Sequence, residues 1–371
     1  MKIAFLTSAN SWHIPIRTKY LVSKGHTVYF FALYPGEKNP IEPKGVKCIE
    51  VRSKYSNNIF RIINRMFQIR VLSKKYNIDV LHIMGMGHSV YALFAQANKI
   101  VFENNGSDVL VHPEKNLSSK LFYKIYYGFL YIFSDGVVQD SKVTKLAGIK
   151  YGAPTTNNEI IELGIDFQIF NSNIPKGVSR EHLGLTINQK MVFSPRSFQS
   201  NSNIETIIAT IPIVNKIFPN VQYIFCKHFG RFSDQYYLQL ITELNVENNV
   251  IFTGFLDNEL DIPFYSTDAD VVLSVVSSDS SPRSVYEAMA CNTPVIISEL
   301  PWYKGKFEKN KDLIAVPAGE IKQTANAIIQ VLNGEIALDL VSAYRKVKEN
   351  INMLKHGENL EALYYRIING N

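Results

Sequence analysis

The chain contains 371 residues, of which 46% are hydrophobic and 19% are charged, and its formal net charge is +6. This length allows two domains, and this composition predicts a soluble globular protein rich in buried sheet. The positive charge favours anionic partners such as phosphates, but the basic residues are dispersed, so we expect no nucleic-acid binding.

Cysteines, histidines and apolar runs narrow the class of protein further. The three cysteines and eight histidines have no metal-ligand or CxxC spacing, and we expect no metal site. No apolar run reaches the length of a membrane span and no signal sequence precedes the first strand. These features predict a cytoplasmic protein.

Strands alternate with helices through the first half of the chain. The predicted strands are Lys2–Thr7, TVYFFAL from Thr27, Val46–Val51, Val80–Met84 and Ile100–Glu103, with helices at Phe60–Lys75, His88–Asn98 and the aromatic Leu121–Phe133. This alternation predicts a parallel, doubly wound α/β sheet. The loop after the first strand lacks the GxGxxG pattern, which argues against a dinucleotide site.

A second alternation of strands and helices begins at Met191. The polar segment Asn171–Lys190 before it is predicted to be a linker. We therefore predict two domains, residues 1–168 and residues 169–351, followed by a C-terminal helix at about 352–371.

Residues 271–297 predict a strand, a loop, a helix and a second strand. Ser281 is the predicted N-cap and Pro282 the first helical residue. Backbone N–H groups at this helix start lie beside Asp279 and Arg283, at the carboxyl end of a strand where α/β sheets bind phosphorylated ligands. The segment is therefore a candidate phosphate site.

Glu287 follows Asp279 by eight residues and lies on the same candidate site. Helical spacing predicts that its carboxylate points away from the core, where both acids could bind the hydroxyls of one ligand. The structural alternative is that Glu287 forms a surface ion pair with Arg283 while Asp279 caps the helix.

The segment SSDSSPRSVYEAMACNTPVI resembles the E-x7-E segment of the retaining glycosyltransferases of family four, with Asp279 in place of the first Glu. The resemblance extends over nearly the whole chain through LVSKGHTV, GSD, ELGIDFQIF and FSPRSFQ. It implies the GT-B fold, in which two Rossmann-like domains face an interdomain cleft and the C-terminal helix packs back on the first domain. It also implies metal-independent sugar transfer with retention, from a nucleotide-sugar that is a substrate and not a cofactor, most often a UDP-sugar.

The resemblance assigns roles to individual residues. In the family the first acid, here Asp279, contacts the transferred sugar, and the second, here Glu287, contacts the nucleotide ribose. Arg196 matches the arginine that grips the donor diphosphate, and a guanidinium suits that task. Asp108 matches the acid of the acceptor-side loop. The other expected donor-binding residues surround the helix start: Ser281, Pro282, Arg283 and Ser284.

Two positions depart from the family pattern. The usual lysine after Arg196 is replaced by the run Gln199–Asn203, and we expect Arg283 or Lys227 to take its place. The usual His-Gly pair is replaced by Asn105 and Gly106, which we expect on the acceptor side.

Two acceptor-side assignments have structural alternatives. His13 is expected beside Asn105 and Gly106, although a lone loop histidine is often incidental. For Asp108, turn and capping chemistry is the alternative role.

The acceptor and the overall activity are the last expectations. Aromatic residues in Leu121–Phe133, with Lys115, Lys120 and Lys124 nearby, suggest peripheral contact with the inner face of a membrane and a lipid-linked or glycan acceptor. We expect a hexosyl- or N-acetylhexosaminyltransferase of polysaccharide or glycolipid biosynthesis. A degenerate GT-B protein with a binding or partner-subunit role, and a GT-B sugar-nucleotide epimerase, remain alternatives.

Overall fold

The structure is a computed structural model that describes residues 1–34, 41–226 and 234–370. The chain divides into two units, one formed by Met1–Gly164 with Met353–Asn371 and the other by Ile165–Asn352. Each unit is built around one parallel sheet. Lys227, a predicted donor-binding residue, lies outside the described residues.

The elements of both units alternate as the sequence predicts. In the first unit they are β1 (Lys2–Ser8), α1 (His13–Ser23), β2 (Thr27–Leu33), β3 (Val46–Val51), α2 (Asn58–Tyr76), β4 (Val80–Met84), a 3-10 helix (Met86–Phe94), β5 (Lys99–Asn104), α3 (Gly106–Leu110), α4 (Leu117–Tyr131), β6 (Gly136–Gln139), α5 (Lys142–Lys150) and β7 (Asn158–Ile160). In the second unit they are α6 (Val178–His182), β8 (Met191–Ser194), α7 (Ile204–Val214), β9 (Gln222–Phe225), α8 (Asp234–Glu243), β10 (Val250–Phe252), α9 (Ile262–Asp268), β11 (Val271–Ser274), α10 (Arg283–Ala290), β12 (Val295–Ser298), β13 (Ile314–Val316), α11 (Ile321–Leu332) and α12 (Leu340–Asn350). The last helix, α13 (Met353–Asn369), belongs to the first unit.

Both sheets are doubly wound. Their strand orders are β3-β2-β1-β4-β5-β6-β7 and β10-β9-β8-β11-β12-β13, and the paired strands run parallel. Strands such as VVLS in β11 are buried throughout because helices cover both sheet faces. The order reverses between β1 and β4 and between β8 and β11, and a ligand crevice forms at the carboxyl ends of such strands.

The two faces of the first sheet carry different helices. On one face, α2, the 3-10 helix and α4 contribute Met66, Tyr91 and Leu130 to the core. On the other face, α13 contributes Leu360 and Tyr364.

The prediction that the linker Asn171–Lys190 is irregular throughout is wrong. It contains α6, and Arg180 within it is buried. The Arg180 guanidinium donates to the backbone oxygen of Asp268 at 2.7 Å and to the carboxylate of Asp270 at 2.9 Å. These partners lie about ninety residues away along the chain, so local polarity alone does not indicate that the segment is anchored.

Candidate functional site

The predicted site residues that the structure describes follow strands that lie at the two switch points or next to them. His13 is the first residue of α1, which follows β1, and Asn105, Gly106 and Asp108 follow β5. In the second unit, Arg196 follows β8, and Asp279, Ser281, Pro282, Arg283, Ser284 and Glu287 follow β11. Because β8 and β11 are neighbours, their following loops meet at one edge of the sheet.

Arg196 and Asp279 are brought together at this edge. The Arg196 guanidinium forms an ion pair with the Asp279 carboxylate, and its Nε donates to the Ser274 hydroxyl at 2.8 Å. The two paired side chains are 22% and 15% exposed. The other Asp279 oxygen accepts from the backbone N–H of Ser280 at 2.8 Å. A cation and an anion thus share one partly open position.

The helix α10 begins one residue later than predicted. Its first residue is Arg283, and Pro282 is the N-cap residue in an extended conformation, so Ser281 is not the N-cap. Proline has no side-chain oxygen with which to cap the first N–H groups. The Ser284 hydroxyl in the first turn is shielded from solvent and has no hydrogen-bond partner among the described residues. The Ser284 hydroxyl and the backbone N–H groups at the start of α10 are hydrogen-bond donors that suit an anionic ligand.

Glu287 and Arg283 form a buried ion pair, and not the surface pair considered from the sequence. Arg283 Nε lies 2.8 Å from Glu287 Oε1, and the side chains are 7% and 3% exposed. The pair is buried because α10 packs against α9 and α12 and has little solvent-facing surface.

Burial governs the electrostatics of this pair. It raises the pKa of the Glu287 carboxyl, against the opposing effects of the Arg283 charge and a hydrogen bond from Asn258 Nδ2 at 3.2 Å. Burial also lowers the pKa of Arg283, which the Glu287 charge opposes. The Arg196 charge acts on Glu287 as well, which links the pair to the switch-point cluster.

Asp108 has a capping role in the described structure. It forms a capping box with Asn105 at the start of α3. Its Oδ2 accepts from the backbone N–H groups of Asn105 at 2.9 Å and Met86 at 3.1 Å. Burial raises the Asp108 pKa, while these two hydrogen bonds lower it in part. The carboxylate thereby joins the ends of β4 and β5.

A histidine that we did not single out from the sequence lies beside this capping box. A Cβ at Gly85, whose φ is +86°, would lie 3.1 Å from Asn105 Nδ2 and 3.7 Å from His88 Nδ1. His88 Nδ1 is 2.9 Å from the carbonyl oxygen of Met84. Since a carbonyl only accepts, Nδ1 carries the proton and Nε2 has a lone pair. The GMGH run after β4 is the signal that could have indicated it.

A buried charge network fastens α1 to β4, β5 and α13. Arg17 donates to Glu103 Oε1 at 2.7 Å, and His82 Nε2 lies 3.2 Å from the second Glu103 oxygen. His356 of α13 accepts from Arg17 at Nε2, at 3.2 Å, and donates from Nδ1 to the carbonyl of Glu162 at 2.8 Å.

The charge of His13 also acts on this network. Burial raises the pKa of Glu103, but Arg17, His82 and then His13 lower it, so that its net pKa is far below the usual range. His13 also packs edge-on against Trp12, with ring centroids 4.0 Å apart. The His13 side chain is therefore close enough to the buried network for its charge to act on Glu103.

Two features are absent from the described residues, a metal-ligating cluster and a membrane-spanning helix. Within residues 1–34, 41–226 and 234–370 no group of three metal-ligating side chains is found. In the same part of the chain no helix is long and apolar enough to cross a membrane.

Comparisons with known proteins give the family. Residues 176–352 match the model for glycosyl transferases group 1, and residues 2–141 match the model for glycosyl transferase 4-like proteins. A curated relative, N-acetyl-alpha-D-glucosaminyl L-malate synthase of Bacillus anthracis, is 20% identical and covers 94% of this chain and 92% of its own.

Solved structures share the fold over almost the whole chain. HepE of Anabaena in complex with UDP and glucose has a TM-score of 0.79 at 18% identity, with 98% of each chain covered. Sucrose-phosphate synthase of Thermosynechococcus elongatus has a TM-score of 0.80 at 17% identity, with 100% of each chain covered. The prediction of two parallel α/β domains with the GT-B fold is confirmed. With two glycosyltransferase models matching 2–141 and 176–352, the chain belongs to the group 1 glycosyltransferases and is a GT-B enzyme that uses a nucleotide-sugar donor.

Proposed function

We propose that the chain transfers a hexose or N-acetylhexosamine from a UDP-sugar to a glycan or lipid-linked acceptor, with retention at the anomeric carbon and without a metal ion. The observation that carries this proposal is the cluster of Arg196, Asp279 and the start of α10 at the switch point of the second sheet. The HepE structures, which hold UDP or UDP-glucose, support the choice of donor.

The donor diphosphate binds between Arg196 and the first turn of α10. In the free protein the Arg196 guanidinium is paired with Asp279, so donor binding moves it from a carboxylate to a phosphate. The Ser284 hydroxyl and the helix N–H groups donate to the same diphosphate. These fixed donors stabilise the charge that develops on the leaving UDP, a role that a metal ion fills in other transferases.

The two acids of the second unit have separate roles. Asp279, released from Arg196, contacts the transferred sugar. Glu287 contacts the ribose, and its burial against Arg283 holds its carboxylate in one orientation. The resemblance of this segment to the E-x7-E segment of retaining enzymes supports retention.

The acceptor binds the first unit at the carboxyl ends of β1, β4 and β5. His13, Asn105 and Gly106 are the proposed contacts, and the geometry adds His88 to them. Asp108 supports this site by joining β4 to β5 and does not bind the acceptor directly. Burial lowers the pKa of His88, so that its neutral ring is available to an acceptor hydroxyl.

The test begins with the donor. A thermal-shift screen of the full chain against UDP-, GDP-, ADP- and CMP-sugars should show stabilisation by UDP-sugars, and hydrolysis or transfer with the best donor should continue in EDTA. The anomeric configuration of the first product, read by NMR, should match that of the donor. Inversion would contradict retention, and stabilisation by another nucleotide alone would contradict the choice of UDP.

Two arginine variants distinguish a specific loss of donor binding from a general effect of removing a positive charge. Arg196→Ala should abolish stabilisation by the donor, whereas Arg345→Ala, on an exposed position of α12, should not. If donor binds but neither hydrolysis nor transfer occurs with any acceptor, the proposed transfer reaction is wrong.

A further inference from the structure

One face of the first unit exposes an unusual amount of apolar surface. It is formed by α2, the 3-10 helix Met86–Phe94 and α4, and we call it the α2–α4 face. All three elements bury one side against the same face of the sheet. The opposite sides of α2 and α4 are also apolar and exposed, and Phe94 of the 3-10 helix is exposed as well.

The outer side of α2 carries an exposed apolar stripe. Phe60, Ile63, Phe67 and Val71 recur every three or four residues, and they are 58%, 44%, 58% and 61% exposed. The core side of the same helix contributes Met66 and Ile69. A helix that is apolar on both sides normally has a partner on each.

The α4 helix repeats this arrangement. Leu121, Ile125 and Phe129, spaced four residues apart, are 62%, 67% and 50% exposed. Phe94 of the 3-10 helix between the two helices stacks on Phe67, with ring centroids 6.2 Å apart. The exposed apolar side chains therefore extend across the α2–α4 face, and a patch of this extent marks an interaction surface.

The charges on this face have one sign. Besides the buried Arg65, the α2 helix contains Arg61, Arg70, Lys74 and Lys75, and α4 contains two lysines, whereas the three elements contain no Asp or Glu. Among these cations within the described residues, only Lys120 takes part in a salt bridge, with Glu114. The face combines apolar side chains with cations, which favours binding to an anionic partner.

We propose that the α2–α4 face docks on an anionic lipid membrane and that α2 is a main contact beside α4, a proposal that rests on the proposed lipid-linked acceptor. Aromatic and aliphatic side chains enter the boundary between headgroups and acyl chains, while Arg and Lys bind lipid phosphates. A second copy of the chain fits less well, because a two-fold interface sets identical patches, and so cation against cation, opposite each other.

Vesicle flotation of the full chain tests this assignment. Vesicles of phosphatidylcholine with phosphatidylglycerol should bind the protein at low salt at least tenfold better than phosphatidylcholine alone, and salt should weaken the binding. The double variant Phe60→Ser/Phe67→Ser should bind these vesicles at least about tenfold more weakly than the wild type, because two exposed aromatic side chains no longer enter the lipid. The matched control Leu260→Ser/Val341→Ser, at positions 71% and 73% exposed in the second unit, should bind like the wild type.

Several results would overturn the proposal. It is wrong if the wild type does not bind anionic vesicles at low salt, or if both double variants bind equally well. A dimer seen by light scattering that Phe60→Ser/Phe67→Ser dissociates, without vesicle binding by the wild type, would assign the face to a second copy.

Donor binding separates this inference from the proposed function. Stabilisation by UDP-sugar, measured without vesicles, should be the same for the wild type and for Phe60→Ser/Phe67→Ser, which also shows that the variant is folded. If UDP-sugar has no effect on either protein but anionic vesicles still bind, the proposed function fails and the docking surface stands.

Discussion

Replacing Arg196 by alanine should weaken UDP binding without unfolding the protein. The guanidinium makes two contacts in the free chain, an ion pair with Asp279 and a hydrogen bond to Ser274 at 2.8 Å. The ion pair lies at the edge of the sheet and is partly exposed, so its loss should cost no more than about 1 kcal/mol of stability.

The magnitude of the binding loss follows from an exchange of partners. A hydrogen bond to a charged group contributes about 1.5–3 kcal/mol. Donor binding gains a phosphate contact but gives up the contact with Asp279, so we expect a net loss of about 2 kcal/mol in Arg196→Ala, or roughly thirty-fold in Kd. Arg196→Lys should fall between, because lysine keeps the charge but not the planar fork.

The matched variant is Asp279→Asn. It removes the anion that competes with the diphosphate for Arg196, so UDP should bind at least as tightly as in the wild type. UDP-sugar should lose its advantage over UDP, and turnover should fall, because the proposed contact with the sugar is gone. Isothermal titration with UDP and with UDP-sugar, on both variants, measures these differences.

Two outcomes would refute this reasoning. If Arg196→Ala binds UDP within twofold of the wild type, Arg196 does not hold the diphosphate. If Asp279→Asn loses UDP binding as fully as Arg196→Ala does, the two residues act only as a structural pair.

Three further predictions concern buried groups. Glu287→Gln should destabilise the second unit by up to about 3 kcal/mol in a thermal melt, because it removes the carboxylate that pairs with the buried Arg283 at 2.8 Å. Gly357→Ala should lower the melting temperature, because a Cβ at that position would lie 2.1 Å from Tyr20 Cγ, and such overpacking costs about 1–3 kcal/mol or more. Burial and the neighbouring positive charge lower the pKa of His356 to about 3 in the folded protein. Its contribution to stability is therefore complete above the unfolded pKa of about 6.5 and declines as the pH falls towards 3, by up to about 1.4 kcal/mol per pH unit, and His356→Gln should flatten this slope in chemical denaturation.

Each of these predictions has its own control. The neutral pair Arg283→Met/Glu287→Gln should recover part of the stability but not ribose binding, and no recovery would contradict the role of the Arg283–Glu287 ion pair. Gly87→Ala, where a Cβ has no atom within 4 Å, should leave the melting temperature unchanged. An unchanged pH slope in His356→Gln would assign the acid sensitivity to other groups, of which the buried His82 is the first to examine, since burial lowers its pKa as well.

Much of the fold could be predicted because local patterns encode it. Mainly apolar runs such as VVLS, separated by helical segments, determine strands that are buried on both faces, and parallel sheets follow from their alternation with helices. The segment from Asp279 to Glu287 could likewise be located from its position after a strand and from its resemblance to a known family. These are properties of short stretches of chain.

The partners of the site residues are decided by strand order and by packing between distant segments. Arg196 meets Asp279 because β8 and β11 are neighbours in the sheet, although 83 residues separate the two side chains. Asp108 binds the N–H of Met86 for the same reason at β4 and β5.

Burial is the property that local spacing predicted least well. Helical periodicity indicates which residues share a face, but it cannot show whether another element covers that face. The α10 helix lies between α9 and α12, so Glu287 is buried, whereas the outer stripe of α2 has no covering helix among the described residues, so Phe67 is exposed. The sequence alone determined the elements and their apolar faces. The tertiary structure decided which faces are covered and which charges are paired, because both depend on contacts between segments that are far apart in the chain.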